Sequence, residues 1–258
     1  MHTKTRYKRI KGFTLIELSI VITIIGILVA GVVAGKALVT NAKIRAQATD
    51  LQLYASAFNT FSAQYNAVAG DMVNATSYWA SAANGNGNGY LNLGSDVGDP
   101  TSTTNEIYTL FQHLSLAKLI PGYYNNTYTL GVGYPVLKLD PTKGMHGANG
   151  INIPGSDEYQ LSDSTNFVSY QAVLALNISK PSITNNGYND IDGVMSPKQA
   201  FFLDTKIDDG IPTEGIFKAY KAYSANYPCL DGNGVLFGVG GNYLQTDNVV
   251  CMAIYVLK

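Results

Sequence analysis

Among the residues of this sequence that could do chemistry, Glu17 has the position that most needs an explanation. It is the only charged residue in the apolar stretch 13–35, FTLIELSIVITIIGILVAGVVAG. At about 1.5 Å per residue, a helix of that length spans roughly 34 Å, which is enough to cross a bilayer. A carboxylate inside a membrane helix costs about 2.5 to 3.5 kcal/mol even on the lenient insertion scale, so Glu17 is expected to have a function and a partner. The alternative is that its side chain only snorkels to a lipid headgroup.

Catalytic chemistry finds little support elsewhere in the sequence. His113 lies in an amphipathic helical pattern and His146 in a glycine-rich segment, and neither accompanies a nucleophile motif or a metalloprotease motif. A satisfied helix histidine and an exposed loop histidine are the better interpretations. With 14% charged residues and a formal net charge of −1, the composition also gives no sign of a broad basic surface for nucleic acid. The sequence therefore predicts neither an enzyme nor a nucleic-acid-binding protein.

The residues before the apolar stretch determine how it would sit in a membrane. Five of the 17 basic residues lie within residues 1–11, with no acidic residue among them. The positive-inside rule keeps residues 1–12 in the cytoplasm and places the chain after Lys36 across the membrane. A cleaved signal peptide and a plain signal anchor are the simplest alternatives. However, a signal peptide has a shorter apolar region before a small-residue cleavage site, and a plain anchor does not need Glu17.

The octapeptide KGFTLIEL, residues 11–18, resembles the cleavage and N-methylation motif of type IV prepilins and type II secretion pseudopilins. The resemblance implies that prepilin peptidase cuts after Gly12 on the cytoplasmic side and methylates the new amino group of Phe13. It also implies that Glu17 pairs with the amino terminus of a neighbouring subunit, and that the chain assembles with other pilins on an inner-membrane platform. Many members of the family carry proline where this chain has Ala34.

The same resemblance implies two features of the C-terminal half. Cys229 and Cys251 are placed like the C-terminal disulfide loop of type IV pilins, and an oxidising compartment favours that bond. Two reduced core cysteines are the alternative. Asp204, Asp208 and Asp209 are a candidate calcium site, because some pseudopilins bind calcium through acidic loops near the C-terminus of the domain. The alternative is that this acidic segment forms only a turn, and no other cofactor is expected.

Hydrophobic periodicity predicts an α+β fold. Apolar residues recur at helical spacing well beyond Lys36, which predicts one continuous helix over residues 13–68, with Gly70 as its terminator. The first half would be transmembrane, and the second half would pack on an antiparallel β-sheet. Shorter helices are predicted over residues 105–119 and from the capping residue Ser196 to residue 206.

The remaining pattern completes a pilin-like organisation. Residues 72–100, with GNGNG at their centre, should form a surface loop. The chain would divide into a leader at 1–12, a transmembrane or filament-core helix at 13–35, and a globular domain at 36–258 outside the inner membrane. Strands are predicted over residues 128–139, 167–178, 235–239 and 249–257.

Three functional hypotheses follow from these features. In the first, the chain is a structural subunit of a type IV pilus or type II secretion-type pseudopilus. It would reside in the bacterial inner membrane as a single-pass protein with a periplasmic domain, before joining a periplasmic pseudopilus or a cell-surface pilus. In the second, it is a minor pilin that binds a surface or initiates assembly, because its mature length exceeds that of many major pilins. A membrane-anchored periplasmic enzyme is disfavoured by Glu17 and by the lack of a catalytic motif.

Overall fold

The computed structural model describes residues 12–89, 91, 106–127, 129–148, 175–179, 183–184, 187–188, 193–212, 214–221, 229–231 and 242–257. By contact density the chain forms two compact units, Met1–Ala42 and Lys43–Lys258. The α+β prediction is confirmed, because a long N-terminal apolar helix precedes a small C-terminal antiparallel sheet and further helices. The helices are α1 (Leu15–Tyr65), α2 (Glu106–Leu116) and α3 (Pro197–Ile207), with a short 3-10 helix at Ala75–Ser77.

Helix α1 changes character along its length. In the first unit its large apolar side chains are exposed, whereas from Ile44 onward the residues at helical spacing are buried, among them Leu51, Phe58 and Phe61. These buried residues share one apolar core with residues of the sheet. The helix ends at Tyr65 because Asn66 adopts a left-handed conformation with φ 48°. The prediction that Gly70 terminates α1 is therefore wrong by about one turn.

The main sheet is built from four antiparallel strands, β1 (Gly144–Ala148), β2 (Ala175–Ser179), β5 (Phe217–Lys221) and β6 (Cys251–Val256). Their order in the sheet is β1-β2-β6-β5, with register fixed by pairs such as Ala175 with Val256 and Ala219 with Ala253. Separately, β3 (Ile183–Thr184) pairs with β4 (Gly187–Tyr188).

Two of the four predicted strands match the sheet, since β6 lies within 249–257 and β2 overlaps the end of 167–178. The prediction at 128–139 is wrong, because its described residues form only isolated bridges. Their amides are satisfied locally: Val132 and Gly133 donate to the Thr129 carbonyl, and Lys138 donates to the side chain of Gln47 at 2.8 Å. The prediction at 235–239 lies outside the described residues. Strands β1 and β5 were not predicted.

Helix α2 contacts both α1 and the sheet. Phe111 meets Tyr54 of α1 edge-on at a ring-centroid distance of 5.6 Å, and His113 stacks on Phe61 at 5.9 Å. On its other side Tyr108 lies 6.4 Å, centroid to centroid, from His146 of β1. Because ten of its eleven residues are buried, α2 occupies the centre of the second unit.

Helix α2 also holds the segment that follows α1. Nδ1 of His113 accepts a hydrogen bond from the Gly70 amide nitrogen at 2.9 Å, and Nε2 of His113 donates to the Ala83 carbonyl oxygen at 2.7 Å. Gln112 accepts from the Ala83 amide and donates to the Ser81 carbonyl. Most side chains between 73 and 89 are exposed, which confirms the predicted surface loop over its described part, yet its backbone is fixed to a buried helix.

Helix α3 begins as the sequence predicts. The Ser196 side chain accepts from the Gln199 amide, and the Gln199 side chain accepts from the Ser196 amide, so the two residues form a capping box. Pro197 occupies the first turn, where its missing amide hydrogen costs nothing. The helix ends one residue before Asp208, which places the acidic segment at its C-terminus.

Candidate assembly site and acidic cluster

The start of α1 contains a capping box that joins Thr14 to Glu17. The Thr14 amide and the Thr14 hydroxyl both donate to Oε2 of Glu17 at 2.8 Å, and the Glu17 amide donates to the Thr14 hydroxyl oxygen at 3.3 Å. Each residue thereby satisfies a backbone donor of the other at the first turn. Among the described residues, Oε1 of Glu17 accepts no hydrogen bond. The carboxylate therefore has one oxygen engaged within its own chain and one oxygen available.

Thr14 was not singled out as a site residue from the sequence. The signal was present, because a threonine three residues before a glutamate at the start of an apolar run is the pattern of a capping box. The family resemblance implies a partner for Glu17 in another subunit. The structure adds a partner in the same chain, three residues away.

Gly12 and Phe13 precede this capping box and lie outside the helix. A Cβ atom added to Gly12 would meet nothing within 4 Å, so the fold itself does not require glycine there. The Phe13 side chain is exposed, as are the apolar side chains that follow it. Helix α1 is long and apolar enough near its N-terminus to cross a membrane. Cleavage after Gly12 and methylation of Phe13 stay predictions.

Comparison with known proteins identifies this N-terminal segment. Residues 7–33 match the family described as the prokaryotic N-terminal methylation motif. The chain thus carries the prepilin-type signal of type IV pilins and pseudopilins. The match supports a pilin-like or pseudopilin substrate of prepilin peptidase and a membrane-anchored protein. No curated protein and no solved structure matches the chain significantly.

Cys229 and Cys251 form a disulfide, the bond that the family resemblance implies. Both cysteines are fully buried, and Cys251 is the first residue of β6. The bond ties the last strand to residues 229–231, where Leu230 also bridges Tyr243. A loop closed over a sequence separation of 22 stabilises the fold by about 3 kcal/mol on the chain-entropy account.

The three aspartates predicted as a calcium site do come together at the end of α3. One carboxylate oxygen from each of Asp204, Asp208 and Asp209 lies within 4.8 Å of the others. Burial, and then the charges of Asp209 and Asp208, raise the pKa of Asp204 to about 6 against the hydrogen bonds it accepts from Tyr243 and Gly210. Carboxylate oxygens suit calcium, which takes six to eight oxygen ligands, so further ligands would have to be carbonyls or water.

The same carboxylates also accept hydrogen bonds that stabilise the turn after α3. Asp208 accepts from the amides of Ile216 and Phe217, and Asp209 accepts from the Ile211 amide at 2.8 Å. The buried Asp204 accepts from the Tyr243 hydroxyl at 2.7 Å. Each carboxylate therefore has a structural role without a cation. Calcium binding at this acidic cluster stays a prediction.

A matched variant separates the two interpretations of the acidic cluster. Asp209→Asn keeps the oxygen that accepts from the Ile211 amide but removes one negative charge. If calcium binds, free calcium should raise the melting temperature of the fragment lacking residues 1–36, and a chelator should reverse the shift. Asp209→Asn should melt at the same temperature without calcium and show a much smaller shift with it. No shift at millimolar calcium in the unsubstituted fragment leaves the segment as a turn.

His113 and His146, the two histidines that catalytic chemistry could have used, are both buried. His113 is buried and satisfied in α2, as expected. His146 is 3% exposed on β1, with Nδ1 2.8 Å from the Gly147 carbonyl oxygen. The prediction of an exposed loop histidine is wrong because the glycine-rich segment forms a strand that pairs with β2 and contacts α2. Neither histidine accompanies an arrangement of nucleophile and base among the described residues.

Proposed function

We propose that this chain is a structural subunit of a type IV pilus or of a type II secretion-type pseudopilus. Prepilin peptidase would cleave it after Gly12 and methylate Phe13, and the mature subunits would polymerise through α1. The observation that carries the proposal is the match of residues 7–33 to the methylation motif. Glu17, the only charge within residues 13–35, supports it because an intramembrane carboxylate is functional by default.

Processing would supply a charged partner for Glu17. Hydrolysis of the bond between Gly12 and Phe13 creates a new α-amino group four residues before Glu17. The same cut removes the basic residues that hold this end at the cytoplasmic face. An ammonium from a neighbouring subunit fits the available Oε1 oxygen, while Oε2 keeps its hydrogen bonds to Thr14.

The pairing would act mainly on register. A buried charge that loses its partner costs about 3 to 5 kcal/mol, whereas a satisfied buried pair adds little net stability. Subunits docked at the wrong height along α1 would leave both an ammonium and a carboxylate unpaired. The exposed apolar side chains of residues 13–39 would supply nonspecific attraction, and the Glu17 pair would select one axial position.

The capping box would lower the free-energy cost of keeping the Glu17 carboxylate in the membrane before assembly. Hydrogen bonds from the Thr14 amide and hydroxyl stabilise the carboxylate while no ammonium is present. In this proposal the protein resides in the inner membrane as a single-pass subunit with a periplasmic domain. The assembly platform then moves it into a pseudopilus or a surface pilus.

Intact-mass analysis of the membrane-extracted protein tests the processing step. The expected species lacks residues 1–12 and begins with N-methylated Phe13. Gly12→Val is expected to stay at precursor mass, and because the fold leaves open space at Gly12 the loss would arise at the peptidase. A protein that retains residues 1–12, or that is cut near Ala34, would contradict the proposal.

The second candidate role is a minor pilin that binds a surface or initiates assembly. The size of the domain after Lys36 and its 18 tyrosines within the whole chain favour it, since tyrosine supplies contact area with a polar tip. Both roles use the same N-terminal chemistry. Abundance separates them, because a major subunit dominates sheared filaments and a minor subunit is present at trace level.

A further inference from the structure

The exposed loop after α1 contains three consecutive Asn-Gly pairs, at residues 84–89, here called the Asn-Gly loop. Asparagine followed by glycine is chemically labile. The amide nitrogen of the glycine loses its proton and attacks Cγ of the asparagine, so that an N–Cγ bond forms and ammonia leaves. Water then opens the cyclic imide to aspartate or isoaspartate.

The fold requires glycine at these positions. Gly87 and Gly89 have φ of 75° and 87°, a region that other residues enter only with strain. A Cβ atom at Gly85 would collide with the backbone of Asp71. The loop therefore cannot lose its labile pairs by replacing glycine, and the surroundings of the glycine nitrogens decide how reactive each pair is.

The buried carboxylate of Asp71 holds two of the three glycine nitrogens. The Gly87 amide donates to Oδ1 at 2.6 Å and also to the Asp71 carbonyl at 3.0 Å. The Gly89 amide donates to Oδ2 at 2.7 Å, and the intervening Asn88 amide is shared between Oδ1 of Asp71 at 3.2 Å and Oδ1 of Asn86 at 3.0 Å. Asp71 is only 4% exposed, so water does not replace it easily as the acceptor.

The third pair is held without Asp71. The Gly85 amide donates to the Met72 carbonyl at 2.9 Å. The side chain of Asn84 accepts from the Thr76 amide at 2.9 Å and donates to the Thr76 hydroxyl at 3.2 Å. Both the attacking nitrogen and the side chain of this pair are therefore fixed by other residues.

We propose that Asn86 and Asn88 are latent deamidation sites and that the Asp71 carboxylate keeps them intact. An amide that donates to a carboxylate resists losing its proton, because the new negative charge would lie about 3 Å from an existing one in a site of low dielectric. These hydrogen bonds also fix the positions of the Gly87 and Gly89 nitrogens, which are the attacking atoms.

Site-resolved mass spectrometry of the full-length chain in detergent, aged at mildly alkaline pH, tests this proposal. A chymotryptic peptide spanning residues 80–90 reports all three pairs together. In the native protein we expect all three asparagines to persist, and in the urea-unfolded chain we expect all three to deamidate. Equal rates in the native and unfolded chains would overturn the proposal without any substitution.

Asp71→Ala supplies the specific test. Deamidation should accelerate about tenfold or more at Asn86 and Asn88, since a hydrogen bond to a charged group corresponds to at least that factor. The rate at Asn84 should not change, because the Gly85 amide keeps its acceptor. The deamidation rates at Asn149, Asn186 and Asn233, which are also followed by glycine, are measured in the same chain for comparison.

Asp71→Asn distinguishes charge from shape. It retains an oxygen acceptor of nearly the same size but lacks the negative charge, so an intermediate acceleration at Asn86 and Asn88 is expected. Equal acceleration at all three pairs in either variant would indicate general loosening of the loop and would overturn the role of Asp71. If a variant does not fold, amide hydrogen exchange at Gly87 and Gly89 of the unsubstituted chain decides, since unprotected amides there would contradict the proposal.

Discussion

The Glu17→Ala variant is expected to appear in the membrane with its leader removed and to be absent from sheared filaments. Insertion should survive because loss of a charge only makes the helix more apolar. Processing should survive because Gly12 and the basic residues before it are unchanged. Assembly should fail because each Phe13 ammonium entering the filament would meet no carboxylate. An unpaired charge costs about 3 to 5 kcal/mol, which corresponds to at least about a hundredfold loss of incorporation.

Two matched variants separate the charge of Glu17 from its capping role. Glu17→Gln keeps an oxygen that can accept from the Thr14 amide but carries no charge. Thr14→Val removes the hydroxyl that donates to Oε2 while it leaves the carboxylate in place. If the ion pair controls register, Glu17→Gln should fail as Glu17→Ala does, and Thr14→Val should still assemble. Glu17→Asp should rescue only in part, because its shorter side chain must reach the same ammonium.

The decisive measurement compares the amount of each variant in sheared filaments with its amount in the membrane. Equal incorporation of the unsubstituted chain and Glu17→Ala at equal membrane levels would remove the register mechanism. Helix α1 would then be only a hydrophobic anchor. Failure of Thr14→Val together with normal assembly of Glu17→Gln would assign the role to the capping box instead.

Strong local signals explain which parts of the fold could be predicted from the sequence. The apolar run, Glu17 and KGFTLIEL identified the N-terminal helix and its motif, because each signal lies within a few residues. Helix α3 was predictable for the same reason, since Ser196, Pro197 and Gln199 determine its start locally. The end of α1 was missed by a turn because both Asn66 and Gly70 tolerate a left-handed conformation.

Strand β1 shows what could not be predicted. Its sequence, GMHGA, has no alternation and includes two glycines, so neither propensity nor periodicity indicates a strand. Its conformation depends on pairing with β2, whose sequence lies about 30 residues further on, and on packing against α2. His146 was placed on the surface for the same reason.

The acidic cluster was predictable only in part. Asp208 and Asp209 are adjacent, and Asp204 precedes them by one helical turn, so their proximity follows from the sequence. The hydrogen bond from Tyr243 to Asp204 joins residues 39 apart and needs the tertiary fold. The same holds for the contacts that His113 makes with Gly70 and Ala83.

Two single variants, His113→Gln and Asp204→Asn, are expected to change the pH dependence of stability in opposite directions from that of the unsubstituted chain. Burial lowers the pKa of His113 to about 4, against the hydrogen bond to Ala83. The folded state therefore binds fewer protons than the unfolded state between about pH 4 and 6.5, and stability falls as the pH falls through that window. For Asp204, with a pKa raised to about 6, the folded state binds more protons between about pH 3.8 and 6. Its contribution to stability rises as the pH falls.

Each contribution amounts to about 3 kcal/mol across its window, so the two oppose each other in the unsubstituted chain. Gln at position 113 offers an oxygen for the Gly70 amide and an amide hydrogen for the Ala83 carbonyl but does not titrate. Relative to the unsubstituted chain, His113→Gln should lose less stability as the pH falls from about 6 to 4, because the destabilising contribution of His113 is removed. Asp204→Asn should lose more stability over the same range, because the opposing contribution of Asp204 is removed. Denaturant unfolding of the fragment lacking residues 1–36 measures both slopes. Parallel slopes in the two variants would contradict the assigned pKa shifts, because each substitution removes a dependence of opposite sign.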